Sequence, residues 1–210
     1  IWLHGLGADG NDFVPIVDEL GLPADHGVRF VFPNAPVQPV TINNGMPMRA
    51  WYDIVSLDAR GEDETGVRRS AAAIEGLIWK VWIHRGVAEV DRNMTLGIIA
   101  MAEGDFKDSL SYFDRVVWRD PGFAEGWNKR ATVYYLMGNF DASVADIKKT
   151  LTLEPRHFGA LSGMGLIYDA IGNQAAAVRV WEKALEINPH MVGIRHRIEK
   201  FRADTKGNPI

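Results

Sequence analysis

Gly104, Gly138 and Gly172 stand 34 residues apart, and Pro121, Pro155 and Pro189 keep the same spacing. Two residue types holding one register through three copies leave few folds open. A fixed period of this length marks a stack of like supersecondary units, and 34 is the period of a helix-turn-helix repeat. Residues 1–78 follow another pattern, with short apolar runs, prolines and a glycine-rich turn. The chain therefore reads as two unlike pieces joined near Ile78.

Aligned on the glycines, the copies run 90–123, 124–157 and 158–191. In each, a first helix (A) ends at the glycine. Asp105, Asn139 or Asn173 follows as a natural N-cap for a second helix (B). Helix B stops at Asp120-Pro121, Glu154-Pro155 or Asn188-Pro189, because proline cannot continue a helix and biases its predecessor away from helical geometry. Apolar positions repeat in register: Phe106 with Phe140; Phe113, Ile147 and Trp181; Val117, Leu151 and Leu185. That spacing predicts one buried face per B helix. Ser109, Ser143 and Ala177 are small enough for the A and B helices to approach closely.

These residues resemble the tetratricopeptide repeat (TPR) pattern. The second copy supplies Trp127, Ala131, Tyr134, Gly138, Phe140 and Pro155. The third supplies Leu161, Gly165, Tyr168, Gly172, Ala177, Trp181, Ala184 and Pro189, and the first a weaker Leu96, Gly97, Gly104, Phe106, Phe113 and Pro121. Arg130 stands where the pattern has Leu. The resemblance implies a scaffold that binds a protein or peptide partner in a groove lined by A helices. The expected lining is Met94, Ile98 and Met101, then Asn128, Thr132 and Tyr135, then Ser162, Leu166 and Asp169, while Met94, Met101 and the tryptophans Trp127 and Trp181 also read as inter-helix core. Members that clamp a C-terminal carboxylate use Lys, Asn and Arg; the corresponding sites here hold Met94, Ile98, Lys129, Gly159 and Ser162, so that clamp is largely missing. Residues 192–205 read as a polar closing helix, and 70–86, with Trp79, Trp82 and Ile83 on one face, as a cap for the front of the array.

In the front piece, Ile1–Gly7 reads as a strand and a Gly-rich turn, Asn11–Leu20 as a helix capped by Asn11 or Asp12, and Val28–Phe32 as a second strand. A proline-rich loop follows, then Trp51-Tyr52-Asp53-Ile54, and Glu62-Asp63-Glu64 opens a helix over Gly66–Leu77. Strands alternating with helices imply a parallel α/β sheet. Gly5-Leu6-Gly7-Ala8-Asp9-Gly10 formally matches a dinucleotide fingerprint, but the next apolar run ends without the acidic ribose ligand.

Residues 3–13 (LHGLGADGNDF), 32–54 (FPNAPVQPVTINNGMPMRAWYDI) and 62–67 (EDETGV) resemble the start of the phospholipase/carboxylesterase family of α/β-hydrolases, which includes acyl-protein thioesterases. The resemblance implies that the main-chain N–H of Leu6 would serve an oxyanion and that Trp51 would lie near the acyl pocket. A serine nucleophile should then follow on a G-x-S-x-G elbow, and the 210 residues contain none. Ala160-Leu161-Ser162-Gly163-Met164 lacks the first glycine and falls inside a repeat helix. The triad Asp and His are likewise unrecognisable. The expectation is an inactive esterase fragment; an ester substrate would apply only if a working serine carboxylesterase were assembled.

The expected fold class is mixed: a truncated α/β-hydrolase-like segment over 1–78, a junction or cap over 79–89, and an all-α TPR solenoid of three helix-turn-helix repeats plus capping helices over 90–205. Residues 1–78 carry 11 acidic and 5 basic side chains, net −6, against 16 acidic and 18 basic, net +2, in residues 79–210. Neither half has the basic surplus of a nucleic-acid binder. With no cysteine there is no disulfide, thiol nucleophile or thiolate metal site, which suits a reducing, cytoplasmic setting. The histidines never reach ligand spacing with carboxylates, so no metal and no cofactor is expected. No apolar run approaches the roughly 20 residues of a membrane span. The chain opens at Ile1 inside an apolar run, without Met, which leaves targeting open. A natural fusion and a chimeric reading frame both account for the junction.

Overall fold

The computed structural model describes residues 1–23, 30–56 and 63–207. The chain divides into two compact units, Ile1–Ile78 and Trp79–Ile210.

Local hydrogen bonds organise the first unit. Asp9 accepts from the Asn11 N–H at 2.7 Å, and Asp12 accepts from the Asp9 N–H at 2.8 Å. This reciprocal box caps a 3-10 turn over Gly10–Phe13. Asp9 is thus the cap, rather than Asn11 or Asp12. The expected helix over 11–20 is also broken: Pro15 has no N–H to continue it, and only a short helix, α1 (Ile16–Glu19), follows. Strands β1 (Val37–Pro39) and β2 (Pro47–Arg49) pair antiparallel, with Gln38 opposite Met48. Asn44 and Gly45, with φ of 54° and 72°, turn the chain between them.

This hairpin replaces the expected parallel sheet. Residues 1–7 and 30–32 form no strand, although the Trp2 N–H donates to Val31 O at 2.8 Å. Residues 28 and 29 of the second expected strand, and Glu62, lie outside the described residues. Parallel strands hold their form when neighbours and helices cover them, and a single bond between two extended segments does not make a ladder.

Helix α2 runs Glu64–Ile83, so the two helical patterns read over 66–77 and 70–86 are one helix. Asp63 starts it, accepting from the Gly66 N–H at 2.8 Å and the Asp53 N–H at 3.1 Å. Those two bonds hold its carboxyl below the ordinary value of 3.8.

The second unit is a stack of three helix pairs: α3 (Ala88–Glu103) with α4 (Phe106–Arg119), α5 (Ala124–Leu136) with α6 (Phe140–Leu153), and α7 (Phe158–Ala170) with α8 (Gln174–Ile187). Helix α9 (Val192–Gly207) closes it. The periodic glycines sit at φ of 74–81°, a left-handed geometry that favours glycine, and each ends an A helix. Asp105, Asn139 and Asn173 then cap the B helices by accepting from Asp108, Ala142 and Ala176 N–H groups.

Within each pair the contact follows a size rule. Phe113 is buried against Gly97, Ile147 against the neighbourhood of Ala131, and Trp181 against Gly165. A large B-helix side chain faces a residue with no Cβ, and the medium one faces alanine. The small positions add hydrogen bonds: Ser109 Oγ donates to Gly97 O at 2.8 Å and Ser143 Oγ to Ala131 O at 2.7 Å. Three apolar clusters result, centred on Met94 and Phe113, on Ile147 and Met164, and on Trp181 with Ile194 and Ile198 of α9. Phe201 of α9 stacks on Trp181 at 5.8 Å.

Candidate functional site on the A-helix face

A cavity of about 260 Å³ opens between α5 and α7, bounded by Asn128, Thr132, Tyr135, Ser162 and Leu166, with Trp79 at one edge. Its walls are mostly apolar side chain. Asn128 is oriented by donating through Nδ2 to Glu125 Oε2 at 3.1 Å. The Thr132 hydroxyl is turned back to Asn128 O at 3.0 Å, which leaves its methyl for the cavity. The Tyr135 ring rests on Phe140 at 5.8 Å.

The remaining expected groove residues lie elsewhere. Met94 has no exposed surface and is a core residue of the first cluster, with Ile98 and Met101 packed against it. The reason is packing: Met94 is enclosed in the cluster that holds Phe113 and Val133, while Ile98 and Met101 are half-buried at its edge. Asp169 pairs with Arg197 of α9 at 3.2 Å. Gly159, which stands at one of the carboxylate-clamp positions, lines the cavity, as do Trp79 and Gly163, which the repeat pattern does not place there. The signal for the two glycines is the glycine-rich start of α7 (Phe158-Gly159-Ala160-Leu161-Ser162-Gly163), unusual inside a helix unless something approaches closely.

Trp79 and Trp82 do not cap the front of the array. Both rings lie at the start of α7: Trp82 stacks on His157 at 4.2 Å, and Trp79 meets Phe158 edge-on at 5.4 Å. A Cβ on Gly159 would come within 2.5 Å of the Trp79 indole. The equivalent positions of the other A helices carry charge, Asp91 and Glu125, so only the third repeat offers this seat. Ile83 does pack against the first cluster.

Beneath the rings lies a buried polar group. His157 Nδ1 accepts from the Ala160 N–H at 3.1 Å and so caps α7. Its Nε2–H must then donate to Glu125 Oε2, 2.7 Å away. Lys129 Nζ is 3.2 Å from Glu125 Oε1, an ion contact without the direction of a hydrogen bond, and lies 5.2 Å from the Trp79 ring centre. Arg130 forms a second anchor. It grips Asp146 with two bonds of 2.7 and 2.8 Å, reaches Asp114 at 2.8 Å, and stacks over Trp127. The bonds to Asp146 raise its guanidinium further above its already high value, against the opposing effect of burial.

In the first unit, Leu6 is exposed and Trp51 is half-buried. Trp51 Nε1 donates to His4 O at 3.0 Å, and the buried His4 ring accepts from the Ala35 N–H at 2.9 Å. Ser70 donates its hydroxyl to Trp51 O from within α2. Among the described residues no group of three or more His, Cys, Asp or Glu side chains has metal-site geometry, and no helix is long and apolar enough to cross a membrane.

A tetratricopeptide repeat model matches residues 124–157 and 159–191. A TPR repeat-containing protein of Rhizobium etli is 38% identical over 138 residues, spanning 66% of this chain and 68% of that protein. The chain belongs to the TPR repeat-containing family. The TPR array also resembles the first TPR of Spaghetti (RPAP3) bound to the HSP90 peptide SRMEEVD. That match has a TM-score of 0.53 and 17% identity, covering 57% of this chain and 94% of that one, a likeness of fold. A phospholipase/carboxylesterase model matches residues 1–97. Acyl-protein thioesterase 1 of Mycosarcoma maydis is 46% identical over 80 residues, 37% of this chain; the chain thus spans 33% of that thioesterase. The molecule is a TPR scaffold carrying a partial phospholipase/carboxylesterase-like segment.

Proposed function

We propose that the TPR array binds a protein partner in the cavity bounded by Asn128, Thr132, Tyr135, Ser162 and Leu166, and that the partner is anchored by an apolar side chain. The observation that carries this reading is the cavity itself, with a volume of about 260 Å³ and largely apolar walls. Pockets of this character hold an anchor residue, and the few polar groups orient it. A protein partner also fits the RPAP3 neighbour, whose structure contains a bound peptide.

An acidic chain end such as SRMEEVD is not the expected ligand. Met94 is buried, Gly159 and Ser162 carry no charge, and the Lys129 ammonium already faces Glu125. The test is selection of a displayed random peptide library on the full chain. Enriched peptides should share an apolar anchor without a required terminal carboxylate. Their binding should fall at least ten-fold with Tyr135→Ala or Leu166→Ala while the circular dichroism of the array is kept. Unchanged binding to both folded variants would end the groove reading.

The front segment acts in this proposal without ester hydrolysis, with boundaries at 1–78, 79–89 and 90–205. Met94, Ile98, Met101 and Asp169 are assigned to packing and pairing, not to partner contact. Leu6 and Trp51 remain marks of ancestry, since an oxyanion donor without nucleophile and base retains little of the machinery.

A further inference from the structure

The two indoles at the end of α2 occupy seats built into the A-helix face of the second unit. The first seat is made by Gly159, whose missing side chain leaves the space, by the edge of Phe158, and by Lys129 on the ring face at 5.2 Å. The second is the His157 ring, parallel to Trp82 within 21° and held from behind by Glu125. Trp79 and Trp82 are three residues apart, so one turn of one helix fills both. This is helix-in-groove recognition carried out within the chain. The last turn of α2 reaches α7 through these rings, whereas close helix-on-helix packing is found between α5 and α6 and between α7 and α8. The cavity beside Trp79 extends beyond the indole, so the resident ring fills only one edge of the available space.

We infer that the groove's partner is an amphipathic helix presenting two large aromatic side chains three residues apart, and that the end of α2 is a resident copy of that ligand which the partner must displace. The inference rests on the groove reading above and deepens it. Residues 84–87, with Gly86 at φ 84°, join α2 to α3 outside any helix. So short a tether holds the resident rings at a high effective concentration, and a free helix competes poorly while they are present.

The probe is a fluorescent peptide with this chain's own residues 64–83, ETGVRRSAAAIEGLIWKVWI. It is titrated by anisotropy into the full chain and into the Trp79→Ala/Trp82→Ala variant. Emptying the seats should tighten peptide binding at least ten-fold over the unaltered chain. A peptide with both tryptophans replaced by alanine should bind neither protein. Adding Gly159→Ala to the emptied variant should weaken binding at least ten-fold, because the new methyl fills the first seat. Should the double alanine variant lose its melting transition, Trp79→Leu/Trp82→Leu keeps apolar cover and serves in its place. Equal binding to the unaltered and emptied chains, indifference to the peptide's tryptophans, or no binding to either protein would overturn the inference. The last outcome would make the rings core residues only. If library-selected peptides still depend on Tyr135 and Leu166 under any of these results, the groove reading stands and the resident-ligand inference alone falls.

Discussion

Gly165 lies so close to Trp181 that a Cβ added to the glycine would sit 2.2 Å from the indole nitrogen. The same indole donates to Ser162 O at 3.1 Å, which fixes its orientation. Glycine inside a helix ordinarily costs about 1 kcal/mol against alanine, yet alanine has no room here. Gly165→Ala should therefore destabilise the array by about 1–3 kcal/mol through overpacking. The second repeat solves the same contact with Ala131 and Ile147. In a Trp181→Ile background the penalty of Gly165→Ala should shrink toward zero. A double-mutant cycle in urea checks this, and additive penalties would refute the size rule.

Arg130 and Asp146 should be exchangeable together but not singly. Asp146 is buried, so Arg130→Met leaves a carboxylate without its two charge-assisted bonds and should cost about 2–4 kcal/mol. The third repeat holds Met164 and Val180 in apolar contact at the equivalent positions. The pair Arg130→Met/Asp146→Val should recover most of the loss in chemical denaturation.

His157 serves two masters, and its variants should separate them. His157→Ala removes a helix cap and the Nε2–H donor of buried Glu125, at about 2–4 kcal/mol in all. His157→Asn can restore the cap but is too short for the carboxylate, so it should fall between. Urea midpoints for the three proteins give the order directly.

Asp63 makes the start of α2 sensitive to acid. Hydrogen bonds from Gly66 and then Asp53 favour its ionised form, so the folded pKa lies below 3.8. With the folded value depressed, the contribution to stability is complete above the unfolded pKa and disappears as pH falls through the folded one. A carboxyl carbon titration by NMR should give a midpoint under 3.8, and Asp63→Asn should remove the corresponding acid-side loss. A midpoint at or above 3.8 would contradict the observed bonds.

A fluorophosphonate probe, which reacts with activated serines, should label no serine of the full chain, with an intact acyl-protein thioesterase as positive control. One labelled serine would show that a hydrolase site has been rebuilt without a G-x-S-x-G elbow.

What was legible in the sequence is what short-range chemistry decides. The left-handed glycines, the Asp and Asn caps and the proline stops act within a few residues, so their spacing specified each repeat. Met94 fits both the groove and the inter-helix core in the sequence because its helical register suits either face; burial with Phe113 and Val133 decides for the core. The front strands could not be read correctly from apolar runs alone, since a strand is made by its neighbours. The seat of Trp79 depends on Gly159, 80 positions along the chain, and no local pattern links the two.

A buried histidine 2.7 Å from a carboxylate has the outline of a catalytic dyad. In this protein both ring nitrogens are committed, one lone pair to the Ala160 amide and one proton to Glu125. A proton relay or a coordinated metal would require α7 to surrender its cap. The pair is a rivet between α5 and the start of α7, built from parts that elsewhere do chemistry.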